Sequence, residues 1–125
     1  MFEIEEYIKL TEIDYSKARS IVETSEFWRE LLRMHPDLKF EVSLNKFLPD
    51  DIIKNFAEDD DDNIRLTVAM KRRISPEVFD LLSSDENESV RLAVAGNPKT
   101  PRYILDKMKD DSWEEIRNTV ISRLA

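Results

Sequence analysis

Cysteine is absent from this chain of 125 residues, and glycine and histidine each occur once. Without cysteine there is no disulfide framework, no thiolate metal site and no thiol nucleophile. A single glycine excludes a glycine-rich phosphate loop. One glycine and five prolines are also too few punctuating residues for a β-sandwich with its many tight turns. His35 stands beside Pro36 in an expected turn, with no partner that would make it half of a nucleophile–base pair. No apolar run approaches the length of a membrane span, and the opening Met-Phe-Glu-Ile-Glu-Glu is acidic where a signal peptide would be basic. Lack of cysteine suits a reducing compartment. The expectation is a cytoplasmic protein without membrane association, cofactor or metal, and not an enzyme.

What the chain has in quantity is charge, at 37% of residues, with a net value of −8. A nucleic-acid binder needs a basic footprint to release counterions from phosphates, so the balance argues against a nucleic-acid partner and favours a basic protein. Solubility alone is the plainer account of the same acidity. The length fits one domain, residues 1–125, with room for a core but not for two ordinary domains.

The pairs Ile64-Arg65, Val90-Arg91 and Ile116-Arg117 recur every 26 residues, each followed four positions on by Val68, Val94 or Val120. A weaker copy, Leu38-Lys39 with Val42, lies one period upstream. Pro49, Pro76 and Pro101 keep nearly the same beat. Ser75-Pro76 and Thr100-Pro101 place a hydroxyl cap before a proline at the first helical position, where its missing N–H costs nothing. Gly96-Asn97-Pro98 reads as a left-handed helix end. Each unit is thus two short helices joined by an acidic turn. First helices are predicted near 25–34, 49–58, 75–84 and 101–109, and second helices near 37–46, 62–72, 88–96 and 113–124. The alternation Leu38, Phe40, Val42, Leu44 is equally compatible with a strand. Residues 1–24 read as one or two capping helices with Tyr15, Ala18, Ile21 and Val22 on one face. A hairpin of this kind cannot bury its apolar face alone and must stack. The predicted fold is all-α: an α-solenoid of about four hairpin repeats over residues 25–125, capped by residues 1–24.

Asp59 and Arg65, Asp85 and Arg91, and Asp111 and Arg117 are each six residues apart. That spacing resembles the Asp/Arg pair of HEAT-type repeats. The stretch from Val90 to Pro101, with Ile104-Leu105 and Asp110-Asp111, resembles the related leucine-rich repeat variant. The resemblance covers residues 48–125 well, 25–47 weakly and 1–24 not at all. It implies a ladder in which each guanidinium bonds carboxylate and turn carbonyls from repeat to repeat, and a solenoid of the kind that usually binds proteins, sometimes nucleic acids.

The acidic turns are the candidate binding surface. Residues 58–62, with Asp85, Glu86, Glu88, Asp110, Asp111, Glu114 and Glu115, hold 12 of the 27 acids. Stacking would align them into one ridge, with Asp61, Asp62, Glu86, Glu88, Glu114 and Glu115 as its contact residues. Capping explains one or two acids per turn, since each gains about 0.3–1 kcal/mol from the helix dipole. Five in succession exceed that need. Asp59 to Asn63 imitate the opening of a calcium loop, but Ile64 replaces its glycine and Met70 its bidentate glutamate. Lys71-Arg72-Arg73 with Lys99 and Arg102 form a small basic patch, readable as helix-end cations or as a DNA grip. Of Phe27 and Trp28, helical spacing sends one outward. Trp113 replaces polar residues at its repeat position and is either an interface anchor or a terminal cap.

Three functions follow from these features. The first is a small acidic immunity or inhibitor protein that neutralises a basic, nuclease-type toxin through the ridge and Trp113. The second is a scaffold or adaptor using grooves around Leu66, Met70, Leu92 and Asn118. The third, a nucleic-acid-processing protein on the same fold, requires a basic concave face. Oligomeric state is left open by the sequence.

Overall fold

A computed structural model describes residues 3–125; Met1 and Phe2, the start of the expected cap, lie outside the described residues. The described chain is all-helical, without a strand. Its helices are α1 (Ile4–Ile13), α2 (Tyr15–Ala18), α3 (Ser25–Met34), α4 (Lys39–Ser43), α5 (Asp50–Ala57), α6 (Asp62–Ala69), α7 (Pro76–Ser83), α8 (Glu88–Gly96), α9 (Arg102–Met108) and α10 (Glu114–Leu124). A 3-10 turn, Pro36–Leu38, leads into α4, so the ambiguous Leu38–Leu44 stretch is helical. The chain divides into two compact units, residues 1–56 and 57–125.

In the first unit, residues 3–24 belong with the helices that follow because polar bonds tie them together. Arg19 pairs with Glu41 through two bonds of 2.8 and 3.0 Å. Asn45 Nδ2 donates to the carbonyls of Ala18 (3.2 Å) and Ile21 (3.0 Å), and the Lys46 amide donates to Arg19 O. Tyr7, Phe27 and Trp28 meet edge to face, with centroids 5.1–6.3 Å apart. Both Phe27 and Trp28 are buried, against the expectation that one would face outward, because α1 covers the second ring. The expected Tyr15-Ala18-Ile21-Val22 face also fails. Helix α2 ends at Ala18, so the helical period does not reach Ile21; Tyr15 and Val22 are exposed while Ala18 and Ile21 are buried. Tyr7 Oη and Trp28 Nε1 are buried without a hydrogen-bond partner among the described residues, and burial raises the Tyr7 phenol above its ordinary pKa.

The second unit is regular. Helix α6 packs on α8 and α8 on α10, while α7 and α9 pack on each other and on the second helices. Ile64, Val68, Val90, Val94, Ile116 and Val120 are all buried, which gives the 26-residue register its physical meaning. Ser75 caps α7 by accepting from the Val78 amide, with Pro76 at the first helical position. Thr100 does not cap α9. Its hydroxyl turns inward and donates to Val94 O at 2.7 Å, and α9 begins at Arg102. Gly96 ends α8 without a positive φ, and a Cβ added there would meet nothing within 4 Å. The left-handed end expected of Gly96 is unnecessary because Asn97 leaves the helix in extended geometry.

Candidate acidic binding surface

The turns before α6, α8 and α10 are built alike. Asp59, Asp85 and Asp111 each accept the amide two residues on, from Asp61, Asn87 and Trp113, all at 2.9 Å. This local ring holds the turn open as the next helix starts. Asp61 and Asn87 then cap α6 and α8 by accepting amides of their first turns, whereas Trp113 precedes α10 without a side-chain cap.

The arginines bind these turns on two sides. Arg65 Nη1 donates to Asp59 O (2.7 Å), the turn of its own hairpin. Its Nε and Nη2 donate to the Asp85 carboxylate of the next one (2.8 and 3.2 Å). Arg91 repeats the arrangement with Asp85 O (2.7 Å) and the Asp111 carboxylate (2.9 and 3.4 Å). Arg117 donates to Asp111 O at 2.7 Å. The Asp six residues upstream therefore supplies its carbonyl, and the carboxylate comes from twenty residues downstream. Arg65 and Asp85 are about nine-tenths buried, so the pair is a charge-assisted bidentate contact in low dielectric. The Asp85 hydrogen bond raises Arg65 above its ordinary pKa. Arg65 and Arg91 are thereby engaged by carboxylates and do not present open charge for a phosphate.

The remaining acids stay in solvent. Asp60, Asp61, Asp62, Glu86, Glu88, Glu114 and Glu115 are exposed, and the Glu86 side chain retains 90% of its accessible surface although it lies 3.7 Å from Arg65. Asn87 Nδ2 donates to Asp62 at 2.6 Å and links the first two turns. Between those turns lies an open cleft of about 430 Å³ walled by Asp60, Asp61, Asp62, Glu86 and Glu88, with Arg65 at its base. A neighbouring hollow of about 340 Å³ is lined by Glu58, Asp59, Asp60 and Asp85. Among the described residues no three His, Cys, Asp or Glu side chains converge in a metal-holding group. Trp113 is half-buried beside the third turn.

A second polar series went unread in the sequence. Asn97 Nδ2 donates to Ala69 O (2.8 Å) and Lys71 O (2.7 Å), and Arg123 Nη1 donates to Ala95 O (2.6 Å) and Asn97 O (2.8 Å). Asn45, Lys71, Asn97 and Arg123 share the 26-residue register, a signal hidden by their different chemistry. Burial holds the Lys71 ammonium down to a pKa of about 8. Of the basic patch, Arg72, Lys99 and Arg102 are exposed, and Arg102 Nη2 donates to Leu124 O at 3.0 Å. No helix is long and apolar enough to cross a membrane among the described residues.

Comparison of the chain with protein-family models, curated proteins and solved structures finds no match.

Proposed function

We propose that the protein is a non-catalytic protein-binding module whose acidic ridge docks a basic partner. In its most specific form it is a small inhibitor of the immunity type, neutralising a basic, nuclease-like toxin inside the cell. The proposed architecture is a HEAT-like solenoid of short hairpins. The matched Asp85/Arg65 and Asp111/Arg91 rungs and the 26-residue register favour that architecture.

The observation that carries the function is a division of labour among the acids. Asp85 and Asp111 are consumed by arginines, and Asp61 by a helix cap. Asp60, Glu86, Glu88, Glu114 and Glu115 stand exposed on the same edge of the unit, beyond what capping requires. Retaining such mutually repelling charges has a use if a cationic surface neutralises them, which speeds association and sharpens partner choice.

The reading is tested by immobilising the protein, capturing partners from its native lysate at low salt, and repeating the capture at high salt. A basic protein that salt releases is expected, because exposed charge pairs are screened beyond roughly 10 Å at 0.1 M salt. Reversing Asp61, Asp62, Glu88 and Glu114 to lysine should then weaken binding of that partner at least tenfold, about 1.4 kcal/mol. Unchanged binding by the reversed variant sinks the ridge. A second reading, an adaptor gripping its partner in the groove around Leu66, Met70, Leu92 and Asn118, draws support from Met70, which is 64% exposed. It predicts capture that survives high salt and is lost in Leu92→Asp.

A further inference from the structure

Helices α6, α8 and α10 lie side by side along one flank of the second unit, with α7 and α9 packed against them. Their buried valines and isoleucines take one face of each helix. The opposite face carries Leu66 and Met70, Leu92 and Gly96, and Asn118 and Ser122, none of them buried and none charged. Met70 keeps 64% of its surface accessible. Because this face runs along all three hairpins, its exposure is not set by either end of the stack.

Gly96, the only glycine, sits on that face for no reason internal to the chain. Its φ is not positive, and a Cβ there would meet nothing within 4 Å. Alanine would serve the helix better, so the missing side chain is useful only to something that approaches the α8 backbone from outside. Charge is also segregated along these helices. Asp62, Glu88 and Glu115 stand exposed at the N-terminal ends, and Arg72 and Lys99 stand exposed just beyond the C-terminal ends of α6 and α8. Residues 63–76, 89–105 and 116–125 contain no Asp or Glu. The helix dipole favours each of these charges singly. Together they make a face that is acidic at one end, neutral in the middle and basic at the other. Such a face is complementary to itself once its direction is reversed.

We propose that this face is a self-association surface and that its occupant is a second copy of the chain. The inference rests on the groove reading above and names the partner in that groove. A two-fold axis lying in the interface, at right angles to the helices, sets each helix antiparallel over its counterpart. Asp62 then meets Arg72 of the second copy, and Glu88 meets its Lys99. The two Leu92 side chains meet near the axis, and Gly96 lets the α8 helices close together. Helices of 8 to 11 residues, with their flanking turns, present roughly 25 by 30 Å. That is close to the about 800 Å² per partner that a stable interface buries.

The test is sedimentation velocity of the full chain over a range of concentrations at low salt, with circular dichroism as the check on folding. A dimer is expected, and it should weaken as salt rises. Leu92→Asp, which sets two carboxylates together near the axis, should raise the dimer Kd about a hundredfold. Gly96→Leu should raise it about tenfold without loss of helicity, because its side chain enters open space in the monomer. Arg72→Glu with Lys99→Glu should give a monomer, and adding Asp62→Lys with Glu88→Lys should restore the dimer. A wild-type chain that is monomeric at every concentration overturns the proposal. So does a dimer indifferent to both Leu92→Asp and Gly96→Leu, or a folded quadruple variant that stays monomeric. The groove reading fails separately. A monomer that captures a foreign protein through Leu92 keeps the adaptor and sinks self-association, whereas a Leu92-sensitive dimer without a salt-resistant foreign partner does the reverse.

Discussion

The two units solve one problem, holding short helices together, by different means. Residues 57–125 repeat a single joint: an arginine between two turns, an aliphatic pair beneath it and a polar side chain on two carbonyls. Residues 3–56 use dissimilar parts. An aromatic trio of Tyr7, Phe27 and Trp28 fills the core, and Arg19 pairs with Glu41 at a partly exposed site. Lys39 stands where the ladder arginines stand in later repeats. One contact is common to both. Asn45 and Asn97 each donate through Nδ2 to two carbonyls, of residues 24–28 positions earlier. The regular unit therefore places buried charge where the irregular one places aromatic area, while the carbonyl clamp is kept.

The largest break in that comparison comes from removing one carboxylate in each unit. Asp85→Ala leaves Arg65 buried without its counter-charge, and about 3–5 kcal/mol should be lost. Glu41→Ala exposes an arginine that is already 33% accessible, and at most about 1 kcal/mol should go. Denaturant unfolding followed by hydrogen exchange will show both size and location. Equal losses would mean that the ladder is no stiffer than a surface ion pair.

Substituting the shared clamp should erase the difference. Asn97→Ala and Asn45→Ala each strand two buried carbonyls, and each should cost about 2 kcal/mol. A loss confined to Asn97→Ala would show that the clamp matters only inside the regular series.

The pH dependence separates the two units in another way, through effects of opposite sign. Lys71 has a folded pKa of about 8, below its ordinary 10.5, so folding disfavours its charged form. Its contribution to stability is complete above pH 10.5 and is lost as pH falls through 8. Tyr7 is raised above its ordinary 10, so its contribution is complete below pH 10 and declines above it, where only the unfolded phenol ionises freely. Melting curves between pH 7 and 11 should rise and then fall. Lys71→Met should flatten the rise and Tyr7→Phe the fall; a rise unaltered by Lys71→Met would assign it to another group.

Much of the regular unit was legible because its signals are local and repeated. The apolar pairs from Ile64 to Val120 fix the helical faces, and Ser75-Pro76 fixes a helix start. The irregular unit was harder. Tyr7 gave no periodic cue, and the burial of both Phe27 and Trp28 depends on α1 returning over them. Thr100 looks like a cap in sequence, yet its hydroxyl is captured by Val94 O once α8 lies beside it. Of the candidate surface, the exposed acids could be named in advance, but not which were already engaged. Asp85 and Glu86 are adjacent in the chain, and one is buried against Arg65 while the other projects into water.

By itself, the sequence determined helices, their register and the excess of acid in the turns, because period, caps and charge are properties of neighbouring residues. Tertiary structure alone decided the pairing. Arg65 and Arg91 each take a carbonyl from six residues behind and a carboxylate from twenty ahead. A contact across that distance exists only after one hairpin has packed on the next and removed both charges from water.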